Sequence, residues 1–410
     1  MWSKLNEFKG KLTWSLLGNI VFALSQWIIL SILARFGSAA DLGIYSLGLA
    51  ITAPVIQFFN FELRTVLATD SKNDYSFQQF FGSRIIHLLI AYLVIMPISF
   101  FYVENTIATL SILLIGLIKI FEALSDLCMG YFQKESKIEL IGKSQLYRGI
   151  LSMTVSSLIY LITQSINFML LGLLTVMILR FLFYDLKHLI PYTNVFPIFD
   201  LSGLKMIILF FPLGITALIS SLVPNIPRYF LDYYVGVEAV GIYSALYYII
   251  VAGNMLITPV SLLAAPRIAN SYHNSTRSDF LKLISVLIIL AVIMSLILIL
   301  PVLLSGEYIL TLLYGKGFAV YERAFIIISI TLIFGFINSF LNLSIISTRE
   351  VRSLPVLNGI AVCVSFIAGY LLIKDFAIEG AAWALLLSRL IQTLLYTVLF
   401  FNILRKIKTN

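Results

Sequence analysis

Residues 116–130 read GLIKIFEALSDLCMG, inside a run from Ile107 to Tyr131 that is otherwise almost wholly apolar. The run is long enough to cross a bilayer, yet it carries Lys119, Glu122 and Asp126. An ionised side chain at the bilayer centre costs roughly 2.5–3.5 kcal/mol on insertion scales, so three in one span must face something other than lipid. At about 100° per residue the three project within an arc of roughly 60°, one above another on one helix face. They are therefore spaced to neutralise one another as i,i+3 and i,i+4 pairs, or to line a polar route together.

The rest of the chain has the same character. Of its 410 residues 60% are hydrophobic and 12% charged, whereas soluble domains carry about 25% charge. Apolar stretches near the roughly 20 residues needed to span a bilayer recur throughout. Twelve are expected: 12–34, 42–67, 84–103, 107–131, 144–163, 167–185, 206–230, 242–265, 280–304, 324–347, 355–373 and 381–404. The apolar run after Lys4, Lys9 and Lys11 is longer than the 7–15 residues of a signal-peptide core, and it reads as the first span. Cys128 and Cys363 both fall within spans, and His87, His188 and His273 are scattered. No metal site, cofactor or catalytic signature is expected from them.

Basic residues orient the chain. With the N-terminus inside, 19 Lys and Arg fall on the inner side, Lys72, Arg84, Arg148, Arg349 and Lys408 among them, and only Arg35, Lys316, Arg323 and Lys374 on the other. The positive-inside rule then puts both termini in the cytoplasm. This topology signal accounts for the net charge of +8 without a nucleic-acid partner. The connecting segments are too short for a soluble catalytic domain, so no enzyme is expected.

The tetrapeptide GIYS occurs at Gly43–Ser46 and again at Gly241–Ser244, each copy opening a span and following a nearby glycine, Gly37 or Gly236. The offset maps the second span onto the eighth. The expected fold is therefore an all-α polytopic membrane protein, two six-helix bundles related by a parallel internal repeat. The expected division is a first bundle at 1–185, a cytoplasmic linker at 186–205 carrying Pro191 and Pro197, and a second bundle at 206–410.

Four stretches, NIPRYFLDYYVGVEAVGIYSALY (225–247), ARFGSAADLGIYSLGLA (34–50), ATDSKNDYSFQQFFGSR (68–84) and EGAAWALLLSRL (379–390), resemble the polysaccharide flippases. These are the O-antigen type members of the multidrug/oligosaccharidyl-lipid/polysaccharide exporter superfamily. The resemblance implies a transporter moving an undecaprenyl-diphosphate-linked oligosaccharide, as in lipopolysaccharide assembly, between leaflets of a bacterial cytoplasmic (inner) membrane. It also implies membrane lipids as surroundings, H+ or Na+ as coupling ion, and other polysaccharide assembly proteins as partners. Rival readings are a drug or cation exporter of the same superfamily and a membrane polysaccharide polymerase.

Such a substrate needs cations for its diphosphate. Lys119 lies mid-span, Arg228 sits between Pro227 and the second GIYS, and Arg389 lies two turns into the last span. These three are the expected substrate-binding residues. Glu122, Asp126 and Glu62 are the expected ion-coupling residues, because carboxylates in low dielectric exchange protons as water access changes. Arg64 and Arg180, close to span ends, are expected to snorkel. Asn254, Asn338 and Asn342 are expected as interhelical hydrogen-bond partners, and Tyr233, Tyr234 and Tyr243 as an interfacial aromatic belt.

Overall fold

The computed structural model describes residues 2–70, 74–102, 105–274, 276–348 and 351–406. Lys72, Arg349 and Lys408, used above to orient the chain, lie outside them. Among the described residues the chain is helical, in the order α1 (Trp2–Phe36), α2 (Ala39–Asn60), α3 (Leu63–Thr69), α4 (Phe77–Tyr102), α5 (Thr106–Lys134), α6 (Ile138–Thr163), α7 (Ile166–Arg180), α8 (Lys187–Leu189), α9 (Leu201–Tyr234), α10 (Val237–Asn274), α11 (Arg277–Tyr314), α12 (Glu322–Ser347) and α13 (Leu354–Lys406). Eleven stretches among the described residues are long and apolar enough to cross a membrane. The last of them, Leu354–Arg405, is broken at Ala377, whose φ of 45° and ψ of −120° are not helical. That break yields the eleventh and twelfth spans of the sequence reading. This is an all-α polytopic membrane protein.

Local chemistry sets several boundaries. The Ser38 hydroxyl accepts the amide of Asp41 at the start of α2, and the Thr276 hydroxyl accepts that of Asp279 at the start of α11. Each satisfies an orphan N–H of a first turn. Phe61 and Glu62, both with left-handed φ (45° and 53°), separate α2 from α3. Gly236, at φ 113°, turns the chain from α9 into α10.

The chain forms two compact units, residues 1–221 and 222–410. The division falls inside the seventh span. The segment expected as linker begins in a π-helical turn, Phe181–Leu186, continues through α8, and runs without helix to Asp200. In the first unit α1 lies against α6 at backbone distance. A Cβ on Gly142 would meet the Trp14 carbonyl, and one on Gly149 would come within 2.9 Å of the Phe22 backbone. The GIYS copies occupy matching places early in α2 and α10, and their tyrosines, Tyr45 and Tyr243, are both buried.

α4 begins at Phe77 and α6 at Ile138, ahead of the spans expected at 84–103 and 144–163, which puts Arg84 and Arg148, counted above with the inner-side charges, well inside their helices. The basic asymmetry survives their removal from the count.

Candidate functional site

Lys119, Glu122 and Asp126 do share one face of α5, and that face lines a cavity of about 520 Å3 in the first unit. Lys119 Nζ donates to Glu122 Oε2 at 2.8 Å, the expected i,i+3 pair. The other partners come from elsewhere. Arg148 of α6 forms an ion pair with the second oxygen of Glu122, and its guanidinium stands 3.9 Å from the Phe22 ring centre. Asp126 is neutralised not along its own helix but by Arg64, whose Nη1 donates to Oδ1 at 2.7 Å.

The break at Phe61–Glu62 explains how Arg64 gets there. A continuous α2 would carry residues 61–69 straight on; the left-handed pair turns α3 so that Glu62, Arg64 and Thr65 all line the cavity. The Thr65 hydroxyl donates to Glu62 Oε2 at 3.0 Å, so Glu62 is tied to its own turn and Arg64 is left to Asp126. Gly130, one turn beyond Asp126, lets α3 approach α5. A Cβ there would be 3.0 Å from the Arg64 carbonyl oxygen.

Arg84 completes the lining. It is fully buried, donates through Nη1 to Asn60 Oδ1 and leaves Nε without a partner. The lining thus holds four cations, Arg64, Arg84, Lys119 and Arg148, against three carboxylates, Glu62, Glu122 and Asp126. The guanidiniums of Arg64 and Arg148 and the Lys119 ammonium can grip a phosphate or diphosphate through charge-assisted hydrogen bonds, with the buried Arg84 adding positive potential behind them. The carboxylates hold that charge in register while the space is empty.

Two expectations about snorkelling are corrected. Arg64 reaches into the cavity. Arg180 is 3% exposed, donating to Ser144 Oγ at 3.2 Å, while the Ser144 hydroxyl donates to Asp185 Oδ1 at 2.7 Å. Asp185 itself stands 3.8 Å from Arg180. A buried arginine finds a carboxylate and a hydroxyl here, which lipid headgroups need not supply.

Arg228 and Arg389 belong to the second unit, and neither lines this cavity. Arg228 donates from Nε to Ser244 Oγ at 2.9 Å and from Nη1 to Asn225 Oδ1 at 2.6 Å, with the Tyr247 ring centre 4.9 Å from its guanidinium carbon. Ser244 is the last residue of the second GIYS. Arg389 donates to Gln392 Oε1 at 2.9 Å. The same amide receives Asn338 from α12 at 3.2 Å and passes its own N–H to Asn358 at 2.9 Å, so Asn338 joins helices as expected. Asn254 is instead exposed. Tyr243, expected in an interfacial belt, is wholly buried, whereas Tyr233 is exposed.

No protein-family model matches the chain. A capsular polysaccharide biosynthesis protein, CapF, of Staphylococcus aureus is 29% identical over 381 residues, which are 92% of this chain and 95% of the relative. Among solved structures, the lipid II flippase MurJ in an inward closed conformation superposes with a TM-score of 0.78 at 16% identity, covering 96% of this chain and 90% of MurJ. An inward-facing multidrug resistance transporter of the MATE family gives 0.76 at 11% identity, covering 94% and 96%. A transporter of the same superfamily from Pyrococcus furiosus gives 0.65 at 12% identity, covering 96% and 95%. The chain has the all-helical fold of these transporters of the multidrug/oligosaccharidyl-lipid/polysaccharide exporter superfamily and is similar over nearly its whole length to a capsular polysaccharide biosynthesis protein.

Proposed function

We propose that this protein is a flippase for a lipid-linked oligosaccharide, carrying the glycan on its undecaprenyl-diphosphate anchor across a bacterial cytoplasmic membrane by alternating access. The observation that carries the reading is the cavity in the first unit, where Arg64, Arg84, Lys119 and Arg148 converge around Glu122 and Asp126. A diphosphate is a dianion small enough to bridge such cations, and four basic groups against three acidic ones leave the space net positive. A cavity for organic cations would want the opposite balance. The CapF likeness supports a capsular glycan as cargo; an O-antigen of lipopolysaccharide is the other form of the same chemistry.

In this reading Lys119 meets the diphosphate, and Arg228 and Arg389 of the second unit add positive potential to the route. Glu122, Asp126 and Glu62 exchange the coupling ion, H+ or Na+, as the cavity opens to either side. Both termini are cytoplasmic, in keeping with the basic asymmetry.

The test is the leaflet in which the lipid-linked oligosaccharide accumulates when the protein is removed. Accumulation in the inner leaflet, reversed by the wild-type chain but not by Lys119→Ala at equal membrane levels, is expected. An unaltered leaflet distribution, together with lost resistance to a cationic dye, would make the chain a drug exporter instead.

A further inference from the structure

Residues 190–200, IPYTNVFPIFD, leave the sixth span without helical structure, yet they are tied down. The Ile198 amide donates to the Gln78 carbonyl at 3.0 Å, Gln79 Nε2 donates to Asp200 Oδ2 at 3.1 Å, and the Tyr131 hydroxyl donates to the Tyr192 carbonyl at 3.1 Å. Lys137 Nζ sits 5.5 Å from the Tyr192 ring centre. Gly82 allows the seating, because a Cβ there would run into the Ile198 carbonyl. The segment is thus a strap drawn across the first residues of α4 and the last turn of α5, the level at which two spans end.

What the strap presents outward is apolar. Phe196 is 77% exposed and Phe199 61%, with Ile190, Tyr192 and Ile198 exposed beside them. An ordered segment with five large apolar side chains outward does not suit bulk water. It does not suit hydrocarbon either, since its backbone is irregular and lies outside any helix. The boundary between headgroups and acyl chains satisfies both demands. The patch is also continuous with the exposed apolar surface of two helices long and apolar enough to span a bilayer. Leu179, Leu182 and Phe183 are exposed at the end of the sixth span, and Ile208 and Leu209 at the start of the seventh.

We propose that residues 190–200 form an interfacial anchor whose Phe196 and Phe199 side chains insert among the lipids at the headgroup boundary. The inference holds whatever the cargo. It fixes the connection between the sixth and seventh spans to the membrane plane, so movement of the seventh span begins from a tethered point.

Spin labels on Phe196→Cys and Phe199→Cys, in a chain with Cys128→Ala and Cys363→Ala and reconstituted in bilayers, report depth. Collision with oxygen is expected to exceed collision with a nickel chelate, as for a label on Leu182→Cys, while Asn194→Cys shows the reverse. Labels at 196 and 199 that both behave as the one at 194 would overturn the anchor and leave a surface open to a soluble partner. Because Cys128 is buried, the cysteine-free chain could misfold. Phe196→Trp in the otherwise unaltered chain provides an independent reading: its added emission should be quenched by lipids brominated close to the headgroup, and unquenched emission refutes the insertion.

Discussion

Glu122 and Arg148, 26 residues apart in sequence and on different helices, form an ion pair on the cavity wall, and Lys119 holds the other oxygen of the same carboxylate. Glu122 is therefore the shared counter-ion of two cations. Truncating it leaves both unpaired, whereas truncating Lys119 leaves Glu122 with Arg148. Breaking a buried pair costs on the order of 3 kcal/mol, less where water reaches the cavity. Glu122→Ala should lower the melting temperature of the purified protein well below that of Lys119→Met, which should stay near wild type. The Lys119→Leu, Glu122→Met double variant should not recover stability, because Arg148 remains stranded; adding Arg148→Met should recover it while export stays lost. Thermal unfolding in detergent and export normalised to folded protein distinguish these outcomes, and a fully active triple variant would reduce the charges to packing.

Arg64 and Asp126 stand differently, each about a third exposed on its side chain. Such a pair contributes about 0.2–1 kcal/mol. Asp126→Asn should change unfolding by no more than that and should still fold. Export should fall severalfold, because Arg64 then lacks the partner that holds it beside the route. Equal export by Asp126→Asn and wild type would exclude Asp126 from both positioning and coupling.

How far the sequence reached depends on how local each signal is. Span positions are written in runs of apolar side chains, and the shared face of Lys119, Glu122 and Asp126 follows from helical period alone. Arg84 and Arg148 were hidden by the same reasoning that found the spans. A charge near a span end shortens the hydropathy window, so both fell at the inner ends of their expected spans and counted with the inner-side charges, though their helices begin seven and ten residues earlier, at Phe77 and Ile138. Arg64 was assigned to the headgroups because periodicity carries no sign of a chain reversal at Phe61–Glu62. The pairings Arg148 with Glu122 and Arg64 with Asp126 join separate helices, and no spacing rule within one helix can supply them.

Backbone approach between α1 and α6 gives a prediction about folding alone. A side chain on Gly142 would displace the Trp14 carbonyl, and one on Gly18 would displace the Gly142 carbonyl. Small residues at such crossings let helices associate in lipid, where no hydrophobic force drives them together. Gly142→Val and Gly18→Val should each sharply reduce the folded protein recovered from membranes. Gly335→Ala, with open space around it, should leave recovery unchanged, and equal recovery from all three would show that the α1–α6 contact is not needed for assembly.

Glu62 joins strain and chemistry in one residue. Its φ of 53° follows that of Phe61 at 45°, and a left-handed conformation costs roughly 1–2 kcal/mol per residue outside glycine. Phe61 cannot be relieved without loss, because it is 2% exposed and packs edge-on to His87 with ring centres 4.8 Å apart. Glu62 can. Glu62→Gly removes the steric penalty and keeps the turn that aims Arg64 at Asp126, although it also deletes the carboxylate that accepts from Thr65. Stability and transport should therefore move in opposite directions: a melting temperature at or above wild type, and reduced export. Glu62→Asn, which tolerates the left-handed region and keeps a hydrogen-bond acceptor but not the charge, isolates the charge. If the ionised group contributes to coupling, Glu62→Asn exports as poorly as Glu62→Gly. Export at the wild-type rate in both would assign Glu62 to the turn alone.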